Sequence, residues 1–315
     1  MRKLTFDEIK SITFGAVKIT EEADGVHFFK CTDKQNAAWK SISETLGARA
    51  LTTTGVHMEF LTDSAKLRFS FIQGGKFDIW IDGVLMYHIN MGRFREDGTI
   101  PEFELGDGEK RVMLALPSHS TGVLTFIEVD DGAFVRPAEF KSKMLFIGDS
   151  ITQGFNAEYD TLSYAYRTAM YYDAEYVIQG IGGAFYHEST FDEIPFDADT
   201  VIVAYGTNDF SRSKSIDEIY GHADKFLAQV KDYYAGKRLV ALSPIWRADD
   251  QDRACGSFKQ ACDAVKNAAE KNGFEVIDGM KLVPHITEFF KDAHLHPNDL
   301  GFGLYAENLI KELNK

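Results

Sequence analysis

Two hydrophobic rhythms divide the chain near residue 140. Upstream, apolar and polar residues alternate or cluster with a period of two through "GVHFFKC", "ALTTTGVHMEFL", "AKLRFSFI", "KFDIWIDGVLMYHI", "KRVMLALP" and "GVLTFIEV". Such alternation puts successive side chains on opposite faces of a strand, one for a core and one for water. Turn-forming pairs separate the segments: Asp24-Gly25, Gly74-Gly75, Asp82-Gly83, Asp97-Gly98, Asp107-Gly108 and Asp131-Gly132. "IWIDGVLMY" reads as a hairpin, because Asp82-Gly83 tolerates the positive φ angles of a two-residue turn. Many short strands joined by tight turns predict an all-β sandwich or jelly roll over residues 1–140.

Past Pro137 the apolar runs become continuous and alternate with amphipathic stretches. "KMLFIGDS", "EYVIQGIGG", "TVIVAYGTND", "RLVALSPIW" and "FEVIDG" read as buried strands. Helices are expected through "SYAYRTAMYYDA", "SIDEIYGHADKFLAQVKDYYAG", "FKQACDAVKNAAEKNG" and "DLGFGLYAENLIKELNK". Fully apolar strands between helices predict a parallel sheet covered on both faces, a three-layer flavodoxin-like α/β domain over 141–315. The short "RPAEFKSK" stretch is the expected boundary, with no repeat or low-complexity linker.

In such a sheet ligands bind beyond the carboxyl ends of the strands. The exits here are Gly148-Asp149-Ser150, Gly180-Ile181-Gly182-Gly183, Gly206-Thr207-Asn208-Asp209 and Ser243-Pro244-Ile245-Trp246; "DAHLHPNDLG" then leads into the last helix. With strand order 2-1-3-4-5 the first three exits are neighbours. They bring a hydroxyl, glycine-freed backbone N–H groups, a side-chain amide and imidazoles to one edge. Acyl transfer needs these parts. A hydroxyl attacks once an imidazole takes its proton, and the resulting oxyanion needs donors already aimed at it. Backbone N–H groups at Ser150 and Gly183 and the amide of Asn208 are the candidate donors.

The ordered blocks "GDSITQG", "GIGGA", "GTND" and "HPND" resemble the SGNH (GDSL-type) esterase/acylhydrolase superfamily over residues 143–315. The resemblance implies Ser150 as nucleophile, Gly183 and Asn208 in the oxyanion hole and His296 as base. The β-rich first half more loosely resembles two-domain family 2 carbohydrate esterases, which implies an acetyl ester of a carbohydrate as substrate. One departure stands out. The superfamily's last block has Asp three residues before the base, whereas Ala293 occupies that place and Asp292 lies four before. Three arrangements stay open: Asp292 orienting His296, a Ser–His dyad oriented by a backbone carbonyl, or His294 as the base.

Plainer roles stand beside these. A serine after a strand caps helices, Gly182 and Gly183 suit a turn, and Asn208 suits an Asx turn. Asp149 and Asp209 read as loop braces and His187 as a surface residue, while Gly182 and Trp246 are candidate substrate-binding residues. Other chemistries fail on spacing. The Gly-x-Ser-x-Gly elbow, the Gly-x-Gly-x-x-Gly dinucleotide loop and the His-Glu-x-x-His zinc helix are all missing, so no metal or cofactor is expected.

Composition narrows the partners. The 315 residues carry a formal net charge of -14, which disfavours nucleic acid and anionic membrane surfaces. Cys31, Cys255 and Cys262 lack Cys-x-x-Cys spacing, and no segment has signal-peptide or transmembrane length. The expectation is a cytoplasmic serine esterase acting on a small-molecule or carbohydrate ester, its oligomeric state open. A longer-chain acylhydrolase, lipase or thioesterase and a carbohydrate-binding protein with an incidental hydrolase half are the rivals.

Overall fold

The computed structural model describes residues 1–72, 74–90 and 101–315. The Asp97-Gly98 turn lies outside the described residues. Upstream, two antiparallel sheets share one core. The first runs Lys18–Glu22, Gly25–Phe29, Val123–Val129, Lys66–Ile72, Glu102–Glu104, and the second Val135–Pro137, His57–Thr62, Lys110–Ala115, Lys76–Ile81, Val84–Asn90. Phe60, Phe69, Phe71, Phe77, Ile79 and Leu114 interdigitate between them, almost fully buried. The inward positions of the period-two pattern are thus the core of the sandwich. The hairpin turn forms as its residues require, with φ 49° at Asp82 and 78° at Gly83.

Downstream, five parallel strands stand in the order Ala174–Gly180, Ser142–Gly148, Thr200–Ala204, Arg238–Leu242, Glu275–Ile277. This is order 2-1-3-4-5, and Gly148 lies in register with both Gly180 and Ala204. Helices Ile216–Tyr233 and Phe258–Lys271 cover one face, where Phe226, Leu227, Val230 and Val265 meet Val201 and Val203. Helices Tyr164–Tyr171 and Asp299–Leu313 cover the other, where Tyr164, Tyr305 and Leu309 meet Phe146, Ile178 and Ile202. The strands read as continuous apolar runs because both faces are buried.

The upstream half is not purely β. Phe6–Ile12, Asp33–Ile42 and Glu44–Ala50 are helical. Thr5 with Glu8 and Thr32 with Gln35 form capping boxes that satisfy the first orphan N–H groups of two of them. Their apolar positions are too sparse to register as a helical period. Trp39, Leu46 and Ala50 nevertheless sit in the same core as Leu145 and Val177 of the parallel sheet. Residues 31–50 therefore cover part of the α/β layer, and the two halves pack as one unit.

Polar groups at that seam are paired. Gln35 and Gln179 exchange two hydrogen bonds of 3.0 Å, and Tyr166 Oη accepts from the Gly55 N–H at 2.8 Å. Lys30 is fully buried and donates to the Arg49 carbonyl and to the hydroxyls of Thr52 and Thr54. Burial without a carboxylate partner pushes its pKa down to about 7.

Candidate active site

Ser150 opens a four-residue helix, Ser150–Gln153, that follows the first parallel strand directly. Asp149 caps it by accepting the Ile151 N–H at 2.9 Å, and Gly154, at φ 82°, ends it. The helix rests on the strand ends. A Cβ on Gly180 would lie 2.4 Å from the Gln153 backbone nitrogen, and one on Gly148 2.0 Å from Thr152 Oγ1. Glycine at those two exits is what lets the turn seat so closely and present Ser150 at the rim.

The segment before the last helix supplies the imidazole. His296 Nε2 lies 2.8 Å from Ser150 Oγ, and His296 Nδ1 lies 2.6 Å from Asp292 Oδ2. The other carboxylate oxygen, Oδ1, accepts the backbone N–H groups of His294, Leu295 and His296 at 3.1, 2.9 and 3.1 Å. The extra residue between acid and base is absorbed at Ala293, whose φ of 61° is left-handed. A non-glycine residue there costs conformational energy, and the carboxylate nest closes over it. Lys291 N–H to His296 O, at 2.9 Å, and a bridge between Phe290 and Pro297 close the loop.

This geometry sets the protonation. Burial alone raises the pKa of Asp292, but hydrogen bonds from Leu295, the His296 ring, His294 and the His296 N–H outweigh it and hold the carboxyl at about 2. Burial lowers the pKa of His296, and the nearby Asp292 offsets only part of that. The imidazole is therefore neutral near pH 7, ready to accept a proton. His294 is half exposed, and its Nδ1 lies 2.9 Å from the Asp292 carbonyl oxygen. Its hydrogen bonds run to Asp292 and Ala248, none to Ser150.

The second and third strand exits meet beside Ser150. Gly183 adopts φ 87°. Its N–H and that of Ser150 donate to no protein acceptor among the described residues. The Asn208 amide donates to the Ala184 carbonyl at 2.9 Å, which fixes it against the glycine turn and leaves one N–H unused. Gly182 is committed at both ends, its N–H to Gln153 Oε1 at 2.7 Å and its carbonyl to the Arg49 guanidinium at 2.7 Å. Asp209 accepts the Tyr186 N–H at 3.1 Å, and burial pushes its carboxyl up to about 7. Asp149 is pushed up to about 7 by the same cause. His187 caps a short turn by accepting the Ser189 N–H.

Gln153, Arg247 and Phe155 had no expected role from the sequence, whereas Trp246 was a candidate substrate-binding residue. Gln153 bridges the halves, accepting from Gly182 and donating to the Ser118 carbonyl at 2.8 Å. It lies inside the "GDSITQG" block, where a polar side chain in a buried one-turn helix was the available signal. Arg247 is buried, paired with Asp249 through two 2.8 Å contacts and bonded to Thr207, so it holds the start of the Asn208 helix. Phe155 sets its ring edge-on to His296, with centroids 4.8 Å apart, and also meets His119 of the β sandwich. Trp246 stacks on His285 at 5.6 Å and leans on Phe290 at 5.2 Å, behind the loop that carries His296.

A serine, histidine and aspartate linked in series beside unpaired donors, on a 2-1-3-4-5 sheet, form a candidate serine hydrolase site. The model of the GDSL-like lipase/acylhydrolase family matches residues 146–304, and the chain belongs to that family. It is a hydrolase of ester bonds, of the SGNH esterase/acylhydrolase type. No curated protein matches the chain. Among solved structures, the salicylyl-acyltransferase SsfX3 from a tetracycline biosynthetic pathway is similar with a TM-score of 0.85 at 17% identity, over 99% of this chain and 96% of the other. A family two carbohydrate esterase from Cellvibrio japonicus gives 0.67 at 16% identity, over 99% and 97%. The acetyl xylan esterase Est2A from the rumen bacterium Butyrivibrio proteoclasticus gives 0.65 at 13%, over 100% and 98%. Both halves are thus found together elsewhere. No helix among the described residues is long and apolar enough to cross a membrane.

Proposed function

We propose that this protein hydrolyses short-chain carboxylic esters, foremost O-acetyl groups on carbohydrates, through an acyl-enzyme on Ser150. The observation that carries the reading is the unbroken series from Ser150 Oγ to His296 Nε2, 2.8 Å, and from His296 Nδ1 to Asp292 Oδ2, 2.6 Å. Ser150 Oγ attacks the ester carbonyl carbon as its proton passes to His296 Nε2. The carbonyl π pair moves onto oxygen, and the N–H groups of Ser150 and Gly183 with the Asn208 amide receive the oxyanion. The C–O bond to the alcohol then breaks, and His296 returns the proton to the departing oxygen. Water repeats the sequence on the acyl-enzyme, releasing the acid and restoring Ser150. Asp292 holds the imidazole in the required tautomer and stabilises the imidazolium that forms twice per turnover.

The carbohydrate part rests on three supports. Two of the similar structures are named as carbohydrate or acetyl xylan esterases. The sequence has no long apolar lid segment. Phe155, 41% exposed beside His296, offers an aromatic face of the kind that packs on sugar rings. The test is 4-nitrophenyl acetate turnover by the wild type and Ser150→Ala, followed by 4-nitrophenyl esters from acetyl to lauroyl and a panel of acetylated sugars with acetate detected directly. Loss of turnover in Ser150→Ala and a maximum at acetyl are expected. Equal turnover by both proteins overturns the mechanism and favours a carbohydrate-binding role, and a maximum at long chains makes the enzyme a longer-chain acylhydrolase.

A further inference from the structure

Two arginines whose charge is unspent reach the glycine turn at Gly183. A Cβ placed on Gly183 would lie 3.2 Å from Arg49 Nη1 and 3.8 Å from Arg212 Nη2. Arg49 comes from the helix Glu44–Ala50 of the upstream half and is anchored by its bond to the Gly182 carbonyl. Arg212 ends the helix that begins at Thr207, and its guanidinium lies over the Phe185 ring, 4.9 Å from the centroid. Phe185 in turn packs edge-on against the buried Trp39. Both side chains are exposed, and each is held in place by a contact that leaves its charge unneutralised.

That is unusual in this chain. With acids outnumbering bases 48 to 34, Arg2, Arg68, Arg111, Arg136, Arg238, Arg247 and Arg253 all lie within 4.0 Å of a carboxylate oxygen. Among the described residues only Arg49, Arg167 and Arg212 have no such partner, and two of these three flank one glycine. The buried Lys30 ammonium sits behind Arg49, bonded to its carbonyl, also without a carboxylate. Two guanidinium groups that both reach the Cβ side of Gly183, at 3.2 and 3.8 Å, match the planar, multidentate acceptor set of a carboxylate. In a protein of strongly negative charge they gather positive charge beside the Gly183 turn.

We infer that the ester cleaved here carries a carboxylate close to its reacting carbonyl, and that Arg49 and Arg212 bind that carboxylate. This rests on the esterase reading above and adds the substrate class to it. The charge has two possible sources, a dicarboxylic acyl group or an acidic alcohol such as a uronate, and matched substrates distinguish them. For the acyl side, 4-nitrophenyl hemisuccinate is compared with 4-nitrophenyl butyrate. For the alcohol side, 3-carboxy-4-nitrophenyl acetate is compared with 4-nitrophenyl acetate. The readout is the ratio of kcat/KM for the charged ester to that for its neutral match, which cancels any general loss of activity.

In the wild type at low ionic strength one of the two ratios should exceed one by roughly ten-fold or more, the weight of a charged hydrogen bond. It should fall several-fold in Arg212→Gln and return to about one in Arg49→Gln/Arg212→Gln, and it should shrink in 0.5 M salt. Calorimetric binding of succinate or glucuronate to Ser150→Ala, lost when Arg49→Gln and Arg212→Gln are added, reads the same site without turnover. Ratios of one or below in both pairs, with neither anion binding, overturn the inference even though Ser150-dependent hydrolysis of neutral esters continues. Anion binding that depends on the two arginines, with no Ser150-dependent turnover of any ester, supports the anion site and sinks the esterase reading instead.

Discussion

Replacing Asp292 by Asn separates a working acid–base series from a serine and histidine that merely touch. The substitution keeps shape and one acceptor oxygen. Three backbone N–H groups converge on Oδ1 at 2.9–3.1 Å, so the amide oxygen stays with them and the NH2 turns toward His296 Nδ1. Two effects follow. The imidazolium formed during turnover loses an anion now 2.6 Å away, a charged hydrogen bond of about 1.5–3 kcal/mol. The neutral ring also takes the opposite tautomer, with Nε2 protonated toward Ser150. Restoring the productive tautomer faces two donors against each other, at a cost of about 1–3 kcal/mol. Together these raise the barrier by about 2.5–6 kcal/mol, so kcat should fall by roughly 10² to 10⁴. Steady-state hydrolysis of 4-nitrophenyl acetate measures it, with Ser150→Ala as background and thermal unfolding as the check on folding. A fall of less than ten-fold in a folded variant would refute the reasoning and leave a Ser–His dyad as the working unit.

Three further outcomes follow from the same contacts. The base acts only when neutral, and burial lowers the pKa of His296 below its usual 6.5; kcat/KM should be flat above neutrality and fall as pH drops through a midpoint under 6.5, so a midpoint at 7 or higher contradicts this. Gln153→Leu removes the acceptor for the Gly182 N–H and the donor to Ser118, and since an unpaired buried donor costs about 1–3 kcal/mol, both Tm and kcat should drop, kcat by roughly ten-fold or more; unchanged kcat would show that the glycine turn holds itself. Asp209 has its folded pKa raised to about 7 from 3.8, so the stability it contributes when protonated is lost as pH rises through that window. Asp209→Asn never ionises, and its Tm relative to wild type should therefore climb between pH 4 and pH 8, where a flat difference would show that the carboxyl is not strained.

Much of this was legible in the chain itself, for reasons that are local. The switch from period two to continuous apolar runs near residue 140 marks where strands change from half-buried to buried on both faces, and both patterns became the expected sheets. The candidates Gly148, Ser150, Gly183, Asn208 and His296 stood out because each sits at, or within three residues of, the start or end of a strand or helix, and such positions restrict residue type strongly. The register of Asp292 was not. Whether a carboxylate four residues before the base reaches the ring depends on Ala293 accepting φ 61°, which three convergent N–H groups decide and spacing alone does not. The helices at 33–42 and 44–50 were also hidden, because Trp39, Leu46 and Ala50 bury against strands more than ninety residues away and leave no period of their own. For the same reason nothing in the first half announced that Arg49, Phe155's neighbour His119 or Ser118 would reach the site. Local backbone preference is written residue by residue, whereas a contact between distant segments exists only once two cores have closed on each other, and much of what surrounds Ser150 is contacts of that second kind.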